Sequence, residues 1–286
     1  MKFLYKEAFK RNLGLLTENE QEKLKDFVIA IPGMGAMGSA HLISFVRQGF
    51  EKFKIADDDS FELVNFNRQY GAILKTIGKK KTEVMRKKAL EINPNCKIEI
   101  FNKLDEDNIE NFLDDVHLLV DALDFFSLDI RRDIINLSLK MKIPVVSAGP
   151  IGFGSAYLIF LPSGPNFNQY FNINKNTPYN ESLAKFTVGL IPKLLQRNYM
   201  QKVDFNEKQG PSSIAGVNLA SGVALINALK ILLRRGEVKP VPYYHQFDVM
   251  KNKYVCKRLL FGNKGPLQKL KIKYALNKFF KDYSKN

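Results

Sequence analysis

Short apolar runs alternate with helix-spaced apolar positions over the first 150 residues. The runs predict strands at 27–31, 53–57, 97–101, 117–122 and 143–149. Apolar positions three and four residues apart predict helices at 36–49, 81–92 and 128–141. Strands that alternate with helices at this spacing are typical of a doubly wound, mostly parallel sheet with helices on both faces. We therefore expect an α/β, Rossmann-like fold.

The pattern changes after Gly154. The run at 154–161 follows a glycine-bounded turn too closely for a crossover helix, which predicts an antiparallel C-terminal extension of the sheet. Residues 163–180 are rich in Asn, Pro and Gly and predict a long loop. Beyond the loop we expect helices at 181–200 and 214–235, joined by "KVDFNEKQGPSS", and then strands around "YYHQFDV" and "KYVCKRLL".

Three segments are expected along the chain: an N-terminal helical segment at 1–26, a main domain at 27–262 and a basic amphipathic tail at 263–286. Thr17 and Glu20 fit a capping box that opens a short helix in the first segment. No apolar run is expected to reach the roughly 18 to 20 residues of a membrane span, and the charged start "MKFLYKEAFKRN" is unlike a signal peptide. The expected location is the cytoplasm.

The formal net charge of +15 favours polyanionic partners such as nucleotides, nucleic acid or an acidic protein surface. Much of the excess lies after Gly262, where seven lysines face one aspartate and are interleaved with apolar residues. This spacing predicts a basic amphipathic helix that packs on its own domain. RNA, a membrane surface and a partner protein remain alternative contacts for it.

The stretch "GMGAMG" places Gly33, Gly35 and Gly38 between a predicted strand and a predicted helix. In that setting GxGxxG permits a tight turn, close approach of a ligand to the backbone and close helix packing. Asp57, at the end of the second strand, is positioned to accept hydrogen bonds from ribose hydroxyls. Together these features predict a bound nucleotide without saying which one.

The stretch "DDDSFELVNFNRQ" narrows the choice of nucleotide. The pyrophosphate of a dinucleotide is bound largely by a helix N-terminus. It needs no dense set of side-chain hydrogen-bond donors beside the ribose carboxylate. A triphosphate needs more: Arg68 offers a bidentate fork, a lysine near position 81 adds a point charge, and Asn65 and Gln69 supply neutral donors. These side chains favour a nucleoside triphosphate.

These motifs, with "GKKK" before "TEV", "INPNC" and "DALD", resemble those of the ThiF/MoeB/HesA adenylyltransferases of the ubiquitin-activating-enzyme superfamily. The resemblance covers roughly residues 8–161. It implies an enzyme that binds ATP and Mg²⁺ and adenylates a carboxylate, such as the C-terminus of a small ubiquitin-like protein or peptide. It also implies a homodimer. The acyl substrate itself is not identified by any motif.

The resemblance assigns nucleotide contacts to four residues. Asp57 corresponds to the ribose ligand, and Asp59 is placed in the same nucleotide site. Asn65 and Gln69 correspond to supporting donors.

Four further residues receive catalytic roles from the resemblance. Arg68 and Lys81 correspond to a clamp on the triphosphate, and Asp124 in "DALD" corresponds to the magnesium ligand. Arg11 in "KRN" resembles an N-terminal arginine that reaches across a dimer to the phosphates of the partner's ATP. No general base is nominated, because the attacking carboxylate is already ionised and prearranged cations supply the stabilisation.

Two positions depart from the family pattern. Ala36 stands where a second loop glycine is usual, and Phe125 stands where an asparagine usually follows the magnesium aspartate. Cys96 and Cys256 are the two cysteines and form no CxxC pair, so zinc is not expected. Since residues 97–255 contain no cysteine, a thioester relay is not expected either.

Three alternatives stay open at this point. The wording "NRQ", "KTEVM" and "INPNC" also resembles the branch of the superfamily that cyclises threonylcarbamoyladenosine in tRNA, so tRNA is retained as an alternative partner. A non-catalytic nucleotide-binding scaffold is a second alternative, which Phe125 favours. A nicotinamide-dependent oxidoreductase is the least favoured, because it would leave Arg68 and Lys81 unexplained.

Overall fold

The structure, a computed structural model, describes residues 2–200 and 210–280. The chain divides into two compact units: unit 1 comprises Met1–Leu123 and Ser221–Val238, and unit 2 comprises Asp124–Ala220 and Lys239–Asn286. Among the described residues the strands pair in parallel in unit 1 and antiparallel in unit 2, and helices accompany them in both units. The expected α/β class is therefore confirmed.

The elements follow in chain order. The strands are β1 (Val28–Pro32), β2 (Lys52–Ala56), β3 (Lys97–Phe101), β4 (Leu118–Asp121), β5 (Val145–Ile151), β6 (Gly154–Phe160), β7 (Tyr243–Asp248) and β8 (Lys253–Arg258). The helices are α1 (Tyr5–Ala8), α2 (Glu18–Lys23), α3 (Ala36–Gln48), α4 (Lys81–Ile92), α5 (Ile109–Leu113), α6 (Leu128–Lys140), α7 (Phe167–Phe171), α8 (Tyr179–Leu190), α9 (Ile214–Leu232) and α10 (Pro266–Ala275).

Unit 1 contains the parallel strands. β1 pairs with β2 and with β4, and β2 pairs with β3. β1 and β4 are almost entirely buried, which explains why they appear in the sequence as continuous apolar runs. Because the carboxyl ends of β1 and β2 meet at one edge, the glycine turn after β1 and the aspartates after β2 are brought together.

The N-terminal segment of unit 1 is anchored to the end of α3. The predicted capping box is confirmed: the Thr17 side chain accepts from the Glu20 N–H at 3.2 Å, and the Glu20 carboxylate accepts from the Thr17 N–H at 2.8 Å. The Tyr5 hydroxyl donates to the Gly49 carbonyl at 2.8 Å, and Asn12 Nδ2 donates to the Gln48 carbonyl at 3.1 Å. The segment is thus fixed where α3 ends.

Unit 2 contains the antiparallel strands β5, β6, β7 and β8, each paired with the next. The tight connection from β5 to β6 confirms the expected antiparallel continuation after Gly154. Beside these strands lies an aromatic cluster whose rings contact one another at centroid distances from 4.5 to 6.4 Å; its members are Phe160, Phe167, Tyr170, Phe171 and Phe186. This cluster forms much of the core of unit 2.

Two predictions between residues 163 and 200 were wrong. The expected loop at 163–180 contains α7, because Asn166 caps a turn that buries Phe167, Tyr170 and Phe171. The helix expected at 181–200 is α8, which begins at Tyr179 and ends at Leu190 because Pro192 disfavours helical backbone just before it. Residues 201–209 of the predicted linker lie outside the described residues.

α9 corrects the expectation that no run could cross a membrane. Its 19 residues are long and apolar enough by length and composition, with a mean hydropathy of 1.6. Of this stretch, 39% is buried inside the protein. Length and composition do not distinguish a span from a core helix.

The predicted tail helix is present as α10, which continues into a π-helical turn at Leu276–Phe280. Gln268, Ile272 and Ala275 are buried, so the helix packs on unit 2 as expected. Residues 281–286 of the tail lie outside the described residues. The division into segments 1–26, 27–262 and 263–286 stays a prediction.

Candidate functional site

Two glycines, Gly33 in the turn after β1 and Gly38 in the first turn of α3, could not be replaced by another residue without moving the backbone. Gly33 has φ +92°, and a Cβ there would lie 2.5 Å from the carbonyl oxygen of Ala122. A Cβ at Gly38 would lie 1.7 Å from the carbonyl oxygen of Gly33. These two glycines shape the turn and bring α3 against it.

Gly35 has a different environment. The nearest atom to a Cβ at this position would be Nε2 of Gln69 at 3.8 Å, which is an ordinary van der Waals contact, so the backbone here is not crowded. Gly35 is also the N-cap of α3 and provides no side chain to the N–H groups of the first helical turn. Those N–H groups carry the positive end of the helix dipole, which suits an anion.

Asp57 joins the end of β2 to the glycine turn. Its Oδ2 accepts from the Met34 N–H at 2.6 Å, and its Oδ1 accepts from the Asp59 N–H at 2.8 Å. Burial raises the pKa of Asp57, while the bond from Met34 and the charge of Lys81 oppose that rise. A carboxylate has about four lone-pair positions, so the two that remain are available to hydroxyl donors.

Lys81 is the buried member of the lysine run. Its residue is 6% exposed, and its Nζ lies 2.7 Å from Oδ2 of the mostly exposed Asp59. The Lys81 N–H also donates to the Asp59 carbonyl at 3.0 Å. Lys79 and Lys80 are exposed. Position 81 is therefore the one of the three whose ammonium is held beside Asp57 and Asp59.

Arg68 and its neighbours lie on the loop that carries Gln69. Nη1 of Arg68 donates to the Val64 carbonyl at 2.9 Å and to Oδ1 of Asn67 at 2.8 Å, and no carboxylate in the described residues pairs with it. Oδ1 of Asn65 accepts from the Glu62 N–H at 2.9 Å and so fixes the local turn. The guanidinium thus keeps donors for a ligand, whereas Asn65 is engaged in shaping the loop.

Gln69 has an unpaired polar atom inside the protein. The residue is 8% exposed, and its Oε1 has no hydrogen-bond partner in the described part of the chain. An unpaired buried amide oxygen costs about 1–3 kcal/mol unless a ligand or water completes it. Because Nε2 of the same amide is the atom nearest to a Cβ at Gly35, a polar molecule bound at the glycine turn would lie within reach of Gln69.

These observations fit a nucleotide with several phosphates. The uncrowded backbone at Gly35, the start of α3, the donors of Arg68 and the ammonium of Lys81 are each suited to phosphate oxygens. Asp57 suits a hydroxylated sugar. Contacts link Asp57 to the glycine turn and Lys81 to Asp59, and Gln69 lies next to Gly35. Asn65 and Arg68 lie on the loop that carries Gln69, and the roles of all these residues stay predictions.

Arg11 lies elsewhere in unit 1. It occupies a short 3₁₀ turn, Lys10–Asn12, and its side chain is exposed. Asn12 next to it is bonded to Gln48, the last residue of α3. Arg11 is therefore held at the opposite end of α3 from the glycine turn.

Asp124 begins unit 2. Its side chain is exposed, and its Oδ1 accepts from the Phe126 N–H at 2.9 Å, which leaves Oδ2 available. Among the residues that the structure describes, the acidic group close enough to share a metal is Asp57, Asp58 and Asp59, and Asp124 is not in it. The role of Asp124 as a metal ligand stays a prediction.

Phe125 has a packing role that explains its departure from the family pattern. Its ring lies 5.2 Å from that of Phe126 and 5.4 Å from that of Phe186. The guanidinium of Arg131 lies over the Phe186 ring at 5.0 Å, and Arg131 also donates to the Phe125 carbonyl at 3.4 Å. Phe125 thus extends the aromatic cluster of unit 2.

Sequence reasoning missed unpaired polar side chains in unit 2. Gln196 is 2% exposed, and neither its Oε1 nor its Nε2 has a partner within residues 2–200 and 210–280. Gln246 accepts from the Lys193 N–H at 2.8 Å, but its Nε2 has no partner in those same ranges. Isolated glutamines outside any motif carry no sequence signal that would have predicted their burial.

Comparison with known proteins gives a family match. The model of the ThiF family matches residues 9–266 of this chain. A "Probable molybdopterin-synthase adenylyltransferase" of Porphyra purpurea is 27% identical over 271 residues, which are 92% of this chain and 67% of that protein. A tRNA threonylcarbamoyladenosine dehydratase of Bacillus subtilis is 30% identical over 142 residues, 49% of this chain and 55% of that protein. The chain thus spans about two thirds of the first relative and about half of the second.

Solved structures share the fold at low sequence identity. A crystal structure of PaaA matches with a TM-score of 0.69 and 19% identity, covering 91% of this chain and 84% of that one. A crystal structure of E. coli MccB with ATP matches with a TM-score of 0.63 and 16% identity, covering 87% of this chain and 69% of that one. At these identities the likeness concerns the fold alone.

Proposed function

Because the chain belongs to the ThiF family, we propose that it is an ATP-dependent adenylyltransferase that converts a carboxylate into an acyl-adenylate and releases pyrophosphate. The observation that carries this proposal is the buried Oε1 of Gln69, which has no partner among the described residues, in an amide whose Nε2 is the atom nearest to a Cβ at Gly35. Arg68 precedes Gln69 on the same loop, and Lys81 pairs with Asp59. The acyl substrate is a protein, peptide or small-molecule carboxylate.

The residues of unit 1 act mainly by binding and orienting. Asp57 accepts from the ribose hydroxyls while its bond to Met34 holds the glycine turn in shape. The first turn of α3 and the fork of Arg68 contact phosphate oxygens. Lys81 exchanges its contact with Asp59 for one with a phosphate, which brings positive charge to where negative charge builds during attack.

A magnesium ion, which we assign to the free Oδ2 of Asp124, would neutralise phosphate charge when bound. No protein base is needed, since the attacking carboxylate is ionised at neutral pH.

The position of Arg11 supports a site completed by a second copy. α3 has 13 residues and is therefore about 20 Å long. An arginine side chain reaches roughly 7 Å from its Cα by bond lengths. Anchored at the end of α3, Arg11 cannot reach the glycine turn at the start of the same helix. We assign it to the phosphates bound by the partner in a homodimer.

The loop at 63–77 supports the same homodimer. Seven large apolar side chains in this loop are exposed: Leu63, Val64, Phe66, Tyr70, Ile73, Leu74 and Ile77. Such an accumulation on one loop is typical of a surface that another protein covers. We propose that it lies in a two-fold interface, where the same patch serves both copies.

Transfer without a thiol intermediate is the final part of the proposal. Burial raises the pKa of the Cys96 thiol to about 12, so Cys96 is not a thiolate near neutral pH. Cys256 is half-buried on β8 in unit 2. ATP as substrate and two free thiols agree with the cytoplasm as the location that we propose.

Thermal stabilisation by nucleotides tests the ATP site. Wild type, Lys81→Met and Lys79→Met are compared with ATP, with ATP and magnesium, and with NAD. A bond to a charged group is worth about 1.5–3 kcal/mol, so Lys81→Met should weaken ATP binding roughly 10- to 100-fold. Lys79→Met removes the same charge from an exposed position and should bind ATP like wild type.

The proposed ATP site would be contradicted if NAD alone stabilised the protein, or if Lys81→Met and Lys79→Met lost the same amount of ATP binding. A protein that binds ATP but never exchanges labelled pyrophosphate with any carboxylate would be the non-catalytic scaffold.

A tRNA-modifying enzyme is the second candidate. The identity to a tRNA threonylcarbamoyladenosine dehydratase and the net charge of +15 favour it. Repeating the thermal stabilisation measurements with tRNA distinguishes the two functions. Specific tRNA binding that persists at physiological salt concentration would favour the tRNA-modifying enzyme.

A further inference from the structure

Residues 257–280, which we call the cationic segment, carry positive charge without compensation. The segment contains six lysines and one arginine and no Asp or Glu; these cations are Lys257, Arg258, Lys264, Lys269, Lys271, Lys273 and Lys278. It belongs entirely to unit 2 and contributes no residue to the nucleotide site of unit 1. Its charge therefore has no explanation in the function proposed above.

The same segment exposes large apolar side chains. Six of them are between 47% and 70% exposed: Leu260, Phe261, Leu267, Leu270, Tyr274 and Phe279. Contiguous exposed apolar groups are rare on a soluble protein unless they bind something.

The apolar groups of α10 lie on its outward side. Gln268, Ile272 and Ala275 are buried against unit 2. At about 100° per residue, Leu267, Leu270 and Tyr274 fall within an arc of roughly 60° on the other side of the helix. Lys269 and Lys273 are exposed next to that arc. An outward apolar stripe bordered by lysines is the reverse of an ordinary surface helix, whose apolar stripe faces the core.

Hydrogen bonds from the inner side of the segment hold it against unit 2. Asn263 Nδ2 donates to the carbonyls of Phe171 and Lys185 at 2.9 and 2.8 Å. Gln268 Nε2 donates to the Val188 carbonyl at 3.2 Å, and Lys271 Nζ donates to the Pro192 carbonyl at 2.8 Å. The outward face is therefore a fixed surface.

Leu260 and Phe261 extend this surface beyond α10. Together with Pro165, Tyr170 and Pro242 they line a cleft of about 440 Å³. Apolar groups and cations are thus presented along the whole segment.

We propose that the cationic segment docks this protein on an anionic lipid bilayer. Lysine ammonium groups would meet lipid phosphates and carboxylates, while the leucine and aromatic side chains enter the boundary between headgroups and acyl chains. Lys278 illustrates the arrangement, since its Nζ lies 5.4 Å from the Tyr274 ring centre and 5.5 Å from that of Phe279. The stems of such lysines cover apolar surface while their charge stays at the headgroups.

The composition of the segment favours a bilayer over other polyanions or proteins. Nucleic-acid surfaces favour arginine and flat aromatic rings that stack on bases, whereas here six of seven cations are lysines and three of the six exposed apolar groups are leucines. Lysine is depleted at protein–protein interfaces. An anionic bilayer carries its negative charge spread over a fluid surface, which matches the spread of lysines along the cationic segment.

Co-sedimentation of the full-length protein with vesicles tests the proposal. Vesicles of phosphatidylcholine are compared with vesicles in which part of that lipid is replaced by phosphatidylserine. Wild type should bind the anionic vesicles, and binding should weaken with salt. The double variant Lys269→Gln/Lys273→Gln should bind about 30-fold more weakly, or about 5-fold per lysine.

Two further variants complete the test. Leu267→Ser/Leu270→Ser should lose binding at unchanged charge. Lys87→Gln/Lys88→Gln removes the same charge from α4 in unit 1 and should bind like wild type. All three variants lie at accessible positions, so their melting temperatures should match that of wild type. The proposal would be overturned if wild type did not bind anionic vesicles, or if it bound both kinds of vesicle equally. It would also be overturned if both lysine double variants lost the same amount of vesicle binding, or if the protein bound tRNA instead of vesicles.

Discussion

At the scale of single residues, two unpaired polar side chains in unit 1 have different meanings. Oε1 of Gln69 has no partner among the described residues, and Nε2 of the same amide is the atom nearest to a Cβ at Gly35, where a ligand would complete it. Within the same described ranges both ring nitrogens of His41 also have no partner, but His41 is fully buried on α3. Complete burial lowers the pKa of His41 to about 4, and the charge of Asp121 only partly opposes this. His41 therefore stays neutral and acts on stability rather than on binding.

The buried His41 predicts a loss of stability in mild acid. The unfolded chain binds a proton near the ordinary pKa of 6.5, whereas the folded protein does so only near 4. Stability from this group is therefore fully present above pH 6.5 and falls as the pH drops towards 4, by about 3 kcal/mol in all. Urea unfolding at about pH 7.5 and about pH 5 should show that the free energy of unfolding falls by roughly 2 kcal/mol more in wild type than in His41→Leu. Identical falls in both proteins would refute the assignment.

At the scale of elements, α3 connects two functions of unit 1. It begins at the glycine turn, and its end holds the segment that carries Arg11. Gly49 closes this end with φ +105°, and a Cβ there would lie 2.3 Å from Nε2 of Gln21 and 2.5 Å from the Tyr5 hydroxyl. The anchoring of the N-terminal segment thus depends on a glycine at this position.

Gly49→Ala should release the N-terminal segment. The variant adds backbone strain of about 1–3 kcal/mol and also displaces Tyr5 and Gln21. Limited trypsin digestion should then cut within residues 1–23 much faster than in wild type. Gly14→Ala is the matched control, because Gly14 has φ +99° but nothing within 4 Å of a Cβ. If both variants are cut at the same rate, the strain alone accounts for the effect and the proposed anchor is wrong.

Elements also show how far the sequence predicts the structure. β1 to β4, α3, α4 and α6 were predicted to within one or two residues, because their apolar periodicity reflects burial in a sheet covered by helices. α7 was missed because its five residues lie in a polar context that is typical of loops. The nucleotide contacts were predictable since they are contiguous in sequence after β1 and β2. Gln196 was not, because its burial depends on packing between distant parts of unit 2.

At the scale of the whole molecule, two surfaces are marked by exposed apolar side chains. The loop at 63–77 belongs to unit 1 and the cationic segment belongs to unit 2. We propose a second copy of the chain for the first surface and an anionic bilayer for the second. The loop lacks the high positive charge of the cationic segment, which is why the two are assigned to different partners.

Leu74→Glu should separate the homodimer. Leu74 is 78% exposed in the monomer, and a carboxylate placed in a two-fold apolar interface would be buried without a partner in both copies. Sedimentation velocity should show wild type as a dimer and the variant as a monomer. Leu267→Glu, at a similarly exposed leucine of the cationic segment, should remain a dimer. A monomeric wild type, or a dimeric Leu74→Glu protein, would exclude this interface.

The anchoring of Arg11 has a consequence for inheritance. In the proposed dimer each site takes its arginine from the other copy. A chain that lacks Arg11 therefore keeps all the nucleotide contacts of its own site, and a chain that lacks Lys81 can still supply Arg11 to the site of its partner. Two such defective alleles in one cell would then rescue each other through mixed dimers, with one working site in each. A chain lacking both residues would instead silence every healthy copy with which it pairs, so its effect would be dominant.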